Sequence, residues 1–399
     1  MKIGIIREEK FPFDKRVALT PWQCQEIVNK YKTINLVVMS SQNRCYSDLM
    51  YSSLGIQVVE NLEDCDILIG IKEVPVGSLI SNKTYIFFSH TIKAQKYNMD
   101  LLLQMINLNI RMIDYEILKD KKGKRLIGFG RYAGVVGAYN AFLCHGLKRE
   151  IFKLRPAYLC DNRSEMEKEL KKVTLNREKI IVSGKGRVGG GILEIIKLLG
   201  IKEVSKQDFI FKKYDEPVYV HLDFLDYYER LDGKESSRND FYNNPQNYKS
   251  VFMRFANTGD IFIAGHYYSQ GSPYLFTKED AKDNKFNLSV IADISCDING
   301  PVASTIRSSK ISEPIYGYNP VSEKEDDFMK EGIIAVMAVD NLPCELPKDA
   351  SEDFGTEFIN NIMPLLVNGN SKTIKDATIC ENGKLNSDFL YLKDFVGLN

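Results

Sequence analysis

The 399-residue chain has no excess of charge of either sign: 53 Lys and Arg stand against 53 Asp and Glu. That balance excludes the broad basic field by which proteins hold nucleic acid through its phosphates. It also removes the simplest attraction to an anionic membrane surface. No uninterrupted apolar run reaches about 18 residues, so no transmembrane helix is expected. The opening MKIGIIREEK becomes charged too early for a secretory signal. Histidine is scarce, at four, and none of the eight cysteines forms a C-x-x-C pair, so no metal site is expected. The cysteines are too thinly spread for a disulfide framework and read as free thiols of a reducing, cytoplasmic compartment. Internal repeats and low-complexity tracts are absent as well. With 44% hydrophobic and 27% charged residues, the composition is that of an ordinary globular protein and not of a disordered one. The length fits two or three domains.

Short β-rich runs alternate with helical segments from the start. Lys2–Ile6, Ile34–Met39, Ile56–Val59, Asp66–Ile71 and Tyr85–Phe88 read as strands. Thr20-Pro21 reads as a helix cap followed by proline at the first helical position, with the helix running over Trp22–Lys30. Asn98–Leu108 reads as a further helix. Such alternation implies a mostly parallel sheet covered by helices on both faces. A second unit begins near Ala133, with a helix over Gly134–Lys148 and strands at Ile180–Ser183, Pro217–His221, Ile261–Gly265, Ser289–Ile294 and Ile333–Ala338. Glu165–Lys172 reads as a charged, solvated helix face. The polar, Asn-rich stretch Asp232–Lys249 reads as a loop or insertion, Ser322–Lys330 as acidic surface, and Ala350–Leu366 as a late helix.

The sharpest motif is Gly184-Lys185-Gly186-Arg187-Val188-Gly189, which follows a strand and opens an apolar helix. In a dinucleotide site the first glycine permits the tight turn. The second lets backbone approach a pyrophosphate, and the third lets helix pack on strand. Amides at the helix start then face the phosphates. The competing reading is a glycine-rich turn of an α/β fold without a ligand. An acid for the ribose is expected about 20 residues further on. Glu203 and Asp208 there favour NAD, whereas Lys202, Lys206 and Arg187 favour the phosphate of NADP. The spacing does not choose between them.

Isolated polar residues also follow or adjoin strand-like runs in the first domain: Arg16, Lys72 with Glu73, His90, Glu116 and Arg125. Singly, each reads equally well as a surface charge or a satisfied structural residue. Together they form a candidate site, because α/β proteins place their sites beyond strand ends.

Near the N-terminus R-V-A-L-T-P and K-E-V-P, and near the middle G-x-G-x-x-G, resemble the alanine dehydrogenase and transhydrogenase superfamily. F-F-S-H-T-I-K-A-Q (87–95), I-D-Y-E (113–116), F-G-R-Y-A-G-V-V-G (129–137), I-A-D-I-S-C-D-I-N-G (291–300) and V-D-N-L-P-C-E-L-P-K-D-A-S (339–351) narrow the resemblance. They are similar to the saccharopine dehydrogenase branch, which includes the lysine–2-oxoglutarate reductase domain. The resemblance implies an α/β fold of two Rossmann-like domains with parallel sheets, the N-terminal one completed by the C-terminal segment. Residues 1–133 and 345–399 would form the catalytic, substrate-binding domain, and 134–344 the dinucleotide-binding domain. It implies NAD or NADP as cofactor, and reversible reductive condensation of lysine with 2-oxoglutarate to saccharopine, the nicotinamide supplying the hydride to the imine. Lys72 and His90 match the acid–base pair, Arg16 and Arg125 the carboxylate grips, and Glu116 a nearby acid. Asp297 matches an aspartate near the nicotinamide, although Asp-Ile-Asn-Gly is also good turn chemistry. Asp293 and the stretch Val339–Leu342 match the lining of the cofactor pocket. His266 follows a strand-like run and is a further candidate, while His145 and His221 read as structural. Segment 214–248 departs from the pattern and its role is open. The alternatives are an alanine dehydrogenase acting on pyruvate and ammonia, a relative using another amino acid and 2-oxo acid, and a non-catalytic nicotinamide-binding regulator. The oligomeric state is not legible.

Overall fold

The computed structural model describes residues 1–11, 13–268, 271–369 and 371–397. The chain divides into two units, Met1–Phe129 with Pro347–Asn399, and Gly130–Leu346. None of the described helices is long and apolar enough to cross a membrane.

In the first unit an eight-stranded sheet runs in the order Lys384–Leu385, Thr378–Glu381, Arg111–Asp114, Thr84–Phe87, Ile67–Ile69, Lys2–Ile5, Asn35–Met39, Gln57–Val59. From Arg111–Asp114 onward all neighbours are parallel. The first two strands are antiparallel additions at one edge. They come from the C-terminal segment, which thereby completes the unit. Asn382 and Gly383, at φ +51° and +70°, make the turn between them. Two consecutive left-handed residues suit the twist of a tight hairpin, and Asn-Gly is the pair that adopts them most readily. The late helix begins earlier than expected, at Pro347, and runs to Glu357. It continues through a wider π turn, Phe358–Ile362, into Met363–Val367. Pro364, which has no N–H to donate, lies just beyond that π turn. Against this late helix, Thr20 caps Pro21–Lys30 reciprocally with Gln23: each side chain accepts the other's backbone N–H.

The second unit repeats the plan. Its eight strands run Lys324–Asp326, Ile315–Asn319, Ile334–Met337, Val290–Asp293, Ile261–Ala264, Lys179–Ser183, Val218–Leu222, Lys202–Glu203. All neighbours from Ile334–Met337 onward are parallel. The outer pair is antiparallel and includes Lys324–Asp326, an exposed strand inside the stretch read as acidic surface. The two-Rossmann architecture is therefore present, with an antiparallel edge added to each parallel sheet. Segment 232–249 is not a plain loop. It carries helix Arg238–Asn243 and strand Tyr248–Ser250, which pairs antiparallel with Tyr228–Arg230. Phe241 supplies the reason: it is buried, stacks on Tyr228 at 4.8 Å and meets Tyr248 edge-on at 5.1 Å. The Asn-rich composition hid this small aromatic core.

Two helices of the second unit, Gly130–Arg149 and Arg187–Leu198, cross at backbone distance. A Cβ added at Gly134 would stand 2.0 Å from the Val188 carbonyl oxygen, and one at Gly191 2.0 Å from that of Arg131. Neither obstacle is a side chain that could swing away. At exposed Gly190, by contrast, an added Cβ would meet nothing within 4 Å. Gly191→Ala is therefore expected to cost about 3 kcal/mol, the upper end for overpacking. Gly190→Ala should be neutral or stabilising by up to about 1 kcal/mol through helix propensity. Urea midpoints of the two variants check this, and equal midpoints would show that the helices do not cross so closely.

Candidate functional site

In the first unit the parallel strands all end at one edge of the sheet, and the candidate side chains lie just past those ends. Glu8 and Lys10 follow Lys2–Ile5, Lys72 and Glu73 follow Ile67–Ile69, His90 follows Thr84–Phe87, and Glu116 follows Arg111–Asp114. These four strands are neighbours, so residues far apart in sequence meet. Glu73 lies between two bases: His90 Nδ1 is 2.6 Å from its Oε1, and Lys10 Nζ donates to its Oε2 at 2.7 Å. Burial opposes charge on Glu73, but His90 and Lys10 bring its carboxyl down to about 2. A carboxylate only accepts, so Nδ1 of His90 is the donor and Nε2 is left for other partners. The His90 backbone is left-handed, at φ +53°, and its ring stacks against Phe88 at 6.4 Å.

Lys72 follows another course. Its side chain is shielded, and burial, followed by Arg16, holds its ammonium below the usual lysine range. The peptide that carries it is fixed by Glu8, which accepts the Ile71 N–H at 2.7 Å and the Lys72 N–H at 2.8 Å. Burial, with Asp14 adding to it, pushes the Glu8 carboxyl up to about 7. Arg16 is buried and forked onto Asp14, with Nε to Oδ1 at 3.0 Å and Nη2 to Oδ2 at 2.5 Å. Its guanidinium lies 4.1 Å above the Phe129 ring, which stacks on Phe354 at 4.5 Å. Burial works against charge on Asp14, but Arg16 brings that carboxyl down to about 2.

Glu116 sits beside this group. Its backbone N–H donates to buried Asp114 at 2.7 Å, and its Oε2 is buried without a hydrogen-bond partner among the described residues. Asp114 also accepts from the backbone and hydroxyl of Ser89, and burial raises it to about 6. Arg125 is exposed, on a β-bridge with Lys119. The structure thus gathers Arg16, Lys72 and His90 with Glu8, Lys10, Asp14 and Glu73. Of the added residues, Glu8, Lys10 and Asp14 gave no signal beyond their place after the first strand.

The second unit uses the same edge of its own sheet. Gly184, at φ +92°, has no room for a side chain, since a Cβ would stand 2.3 Å from the Gly265 carbonyl oxygen. A Cβ at Gly189 would stand 1.9 Å from the carbonyl oxygen of Gly184, which packs the helix start onto the turn. At Gly186 an added Cβ meets nothing within 4 Å. Crowding at the first and third glycines with open space at the second is the arrangement a pyrophosphate cradle needs, so these residues fit a dinucleotide. Arg187 and Val188 open the helix beyond it. His221 donates from Nε2 to the Gly184 carbonyl at 2.8 Å, a structural role. His145 is likewise structural, buried against Glu178 at 3.2 Å. His266 is buried, with Nδ1 2.8 Å from the Ser183 hydroxyl and no partner for Nε2 among the described residues. Burial brings its imidazolium down to about 4.

Asp293 is buried at the end of its strand. It accepts from Ser295 and Cys296 on one oxygen and from the Thr305 hydroxyl on the other. It therefore shapes the loop that carries half-buried Asp297, whose own carbonyl accepts the Gly300 N–H in a turn. Val339 and Leu342 are buried after strand Ile334–Met337. Glu203 stands on the edge strand and takes the Tyr219 hydroxyl at 3.1 Å. The strand paired directly with the glycine strand is Val218–Leu222, and the acid at its end is Asp223. Counting residues from the glycines stops one strand short of it.

Two Rossmann-like units, one with a glycine turn that fits a dinucleotide, are also the fold of the alanine dehydrogenases and transhydrogenases. An L-alanine dehydrogenase of known structure has this fold, with a TM-score of 0.64 at 14% identity, covering 100% of this chain and 99% of that one. Residues 4–136 match the family described as alanine dehydrogenase/PNT, N-terminal domain. The resemblance to the saccharopine dehydrogenase branch carried by the motifs is borne out by relatives along nearly the whole chain. An Arabidopsis thaliana alpha-aminoadipic semialdehyde synthase is 28% identical over 98% of this chain and 41% of its own length. The saccharopine dehydrogenase [NAD(+), L-lysine-forming] of Emericella nidulans is 24% identical over 95% of this chain and 96% of its own. The chain spans less than half the length of the semialdehyde synthases it matches.

Asp14→Asn leaves the buried Arg16 without its counter-charge and is expected to cost about 3 kcal/mol. The pH dependence follows from the depressed Asp14 carboxyl. Its contribution is present above the ordinary carboxylate value of 3.8 and is lost as pH falls through about 2. Urea unfolding from pH 7 to pH 2 should show the gap between wild type and variant closing at the acid end. A constant gap would mean that the pair does not titrate as a unit.

Proposed function

We propose that the chain is a nicotinamide-dependent oxidoreductase acting on a C–N bond, of the saccharopine dehydrogenase, L-lysine-forming type. The observation that carries this reading is Glu73, next in sequence to Lys72 and 2.6 Å from His90. It couples a shielded lysine and an oriented histidine into one proton-handling group at adjoining strand ends. A reaction that joins an amine to a 2-oxo acid needs two such groups, since protons move at nitrogen and at a water-derived oxygen. The unit Gly130–Leu346 holds the cofactor, NAD or NADP, which supplies or accepts the hydride. Gly184, Gly186 and Gly189 form the cradle, with Asp293, Val339 and Leu342 supporting its surroundings and Asp297 at its edge.

The other unit binds the substrate. Lys72, its charge disfavoured by burial, exchanges a proton with the reacting oxygen or nitrogen. His90 presents Nε2 while Glu73 holds its ring. Glu116 offers its unpartnered buried oxygen to an ammonium group. Arg16 and Arg125 meet carboxylates through bidentate forks, and Asp14 holds Arg16 in place until a carboxylate arrives. The substrates of this reading are lysine and 2-oxoglutarate in one direction and saccharopine in the other.

The direct test mixes the chain with NADH or NADPH and either lysine plus 2-oxoglutarate or pyruvate plus ammonia, following nicotinamide absorbance. Oxidation with lysine and 2-oxoglutarate alone is expected. Oxidation with pyruvate and ammonia would move the chain to the alanine dehydrogenases. Lys72→Met and His90→Gln should each lower kcat at least about 100-fold, the usual worth of a positioned acid or base. Cofactor affinity, measured by quenching of protein fluorescence, should stay within about threefold. Full turnover in either variant would remove that residue from proton transfer.

A further inference from the structure

We infer that Arg238, from the segment left unexplained by sequence, works with Asp223 to read the 2′ position of the adenosine ribose and admits a 2′-phosphate there. The inference rests on the nicotinamide reading above. The strand ending at Asp223 is the direct parallel neighbour of the glycine strand, with Ser183 opposite Leu222. Gly184 donates its N–H to the Leu222 carbonyl at 3.0 Å, so the two strand exits are bonded and Asp223 stands level with the first glycine. An acid there accepts ribose hydroxyls, and an arginine beside it accommodates a 2′-phosphate. A bare carboxylate would repel that phosphate.

Asp223 is not bare. Nη2 of Arg238 reaches both of its oxygens at 3.0 Å, so the pair is close to neutral. The guanidinium also lies 5.1 Å from the Phe224 ring centroid, while Nε and Nη1 have no hydrogen bond among the described residues. Its side chain is 56% exposed, against 30% for Asp223, so the outer edge of the fork remains available to an anion.

Arg238 is also delivered by an ordered element. It begins helix Arg238–Asn243, whose Phe241 is sunk between Tyr228, Tyr248 and Phe224. Arg230 in the adjoining hairpin pairs with Asp232 and Asp240 and ties that helix down. On the neighbouring short helix, Lys206 pairs with the Asp226 carboxylate and Arg254 donates to the Asp226 carbonyl at 2.6 Å. Segment 214–248 thus brings a cation to a position where the glycine strand's neighbour alone offers an anion.

The test is calorimetric titration of the whole chain with NAD+ and with NADP+, without amino-acid substrates. Wild type is expected to bind both with Kd values within about tenfold. Arg238→Ala should weaken NADP+ by about tenfold or more, roughly 1.4 kcal/mol, and leave NAD+ within about threefold. Asp223→Ser should do the reverse, weakening NAD+ while NADP+ holds or tightens. Arg238→Lys keeps the charge without the fork and should fall between. Thermal melts establish that each variant is folded. If both nucleotides bind but neither variant moves the Kd ratio by threefold, the ribose assignment is overturned while the proposed reaction stands. If neither nucleotide binds the wild type, the nicotinamide reading falls and this inference falls with it.

Discussion

A parallel sheet imposes a single constraint from which the rest of this molecule follows. Strands that run the same way must all leave the sheet at the same edge, and the chain crosses back over a face before it can enter again. In the first unit this puts the residues after four neighbouring strands within reach of one another, although they span positions 8 to 116. Polar groups there need no burial of their own in the apolar layers. They can be charged, paired and shielded at once, which is what a proton-handling site requires. The second unit obeys the same rule with glycines in place of charges.

Charge in the first unit is arranged as alternation. Glu8, Lys72, Arg16 and Asp14 form one linked set, and Glu73, His90 and Lys10 another, joined by the covalent bond between residues 72 and 73. The departures from ordinary titration follow from burial and from how completely each charge is paired. Asp14 and Glu73 are well paired and stay ionised. Glu8 has only backbone donors and stands near Asp14, and its proton is held to about neutrality. For Lys72, burial first and Arg16 second outweigh its acids, and its ammonium is held below the usual lysine range.

Much of this was legible in the sequence, for reasons that differ by residue. The glycine motif reads clearly because its spacing encodes a backbone geometry, φ +92° at Gly184, that little else tolerates. Lys72 and His90 stood out because each is a polar residue just past an apolar strand-like run. Glu8 and Asp14 did not, because a run such as R-E-E-K looks the same whether solvated or folded under a neighbouring loop. Asp223 was hidden by counting: the chain makes an edge strand, Lys202–Glu203, before it returns to pair beside the glycines. The Asn382-Gly383 hairpin was not read from the sequence, although Asn-Gly is the pair that favours such a turn.

That hairpin has a consequence beyond finishing a fold. Without it, Arg111–Asp114 would be the outermost strand of a parallel sheet, presenting a row of unsatisfied amides and carbonyls to any passing polypeptide. The hairpin covers that row and ends in a strand of only two residues, one of them an exposed lysine. The sheet therefore stops at a place too short and too charged to be extended by a second molecule. The same device that closes the architecture blunts this edge against pairing with a second molecule.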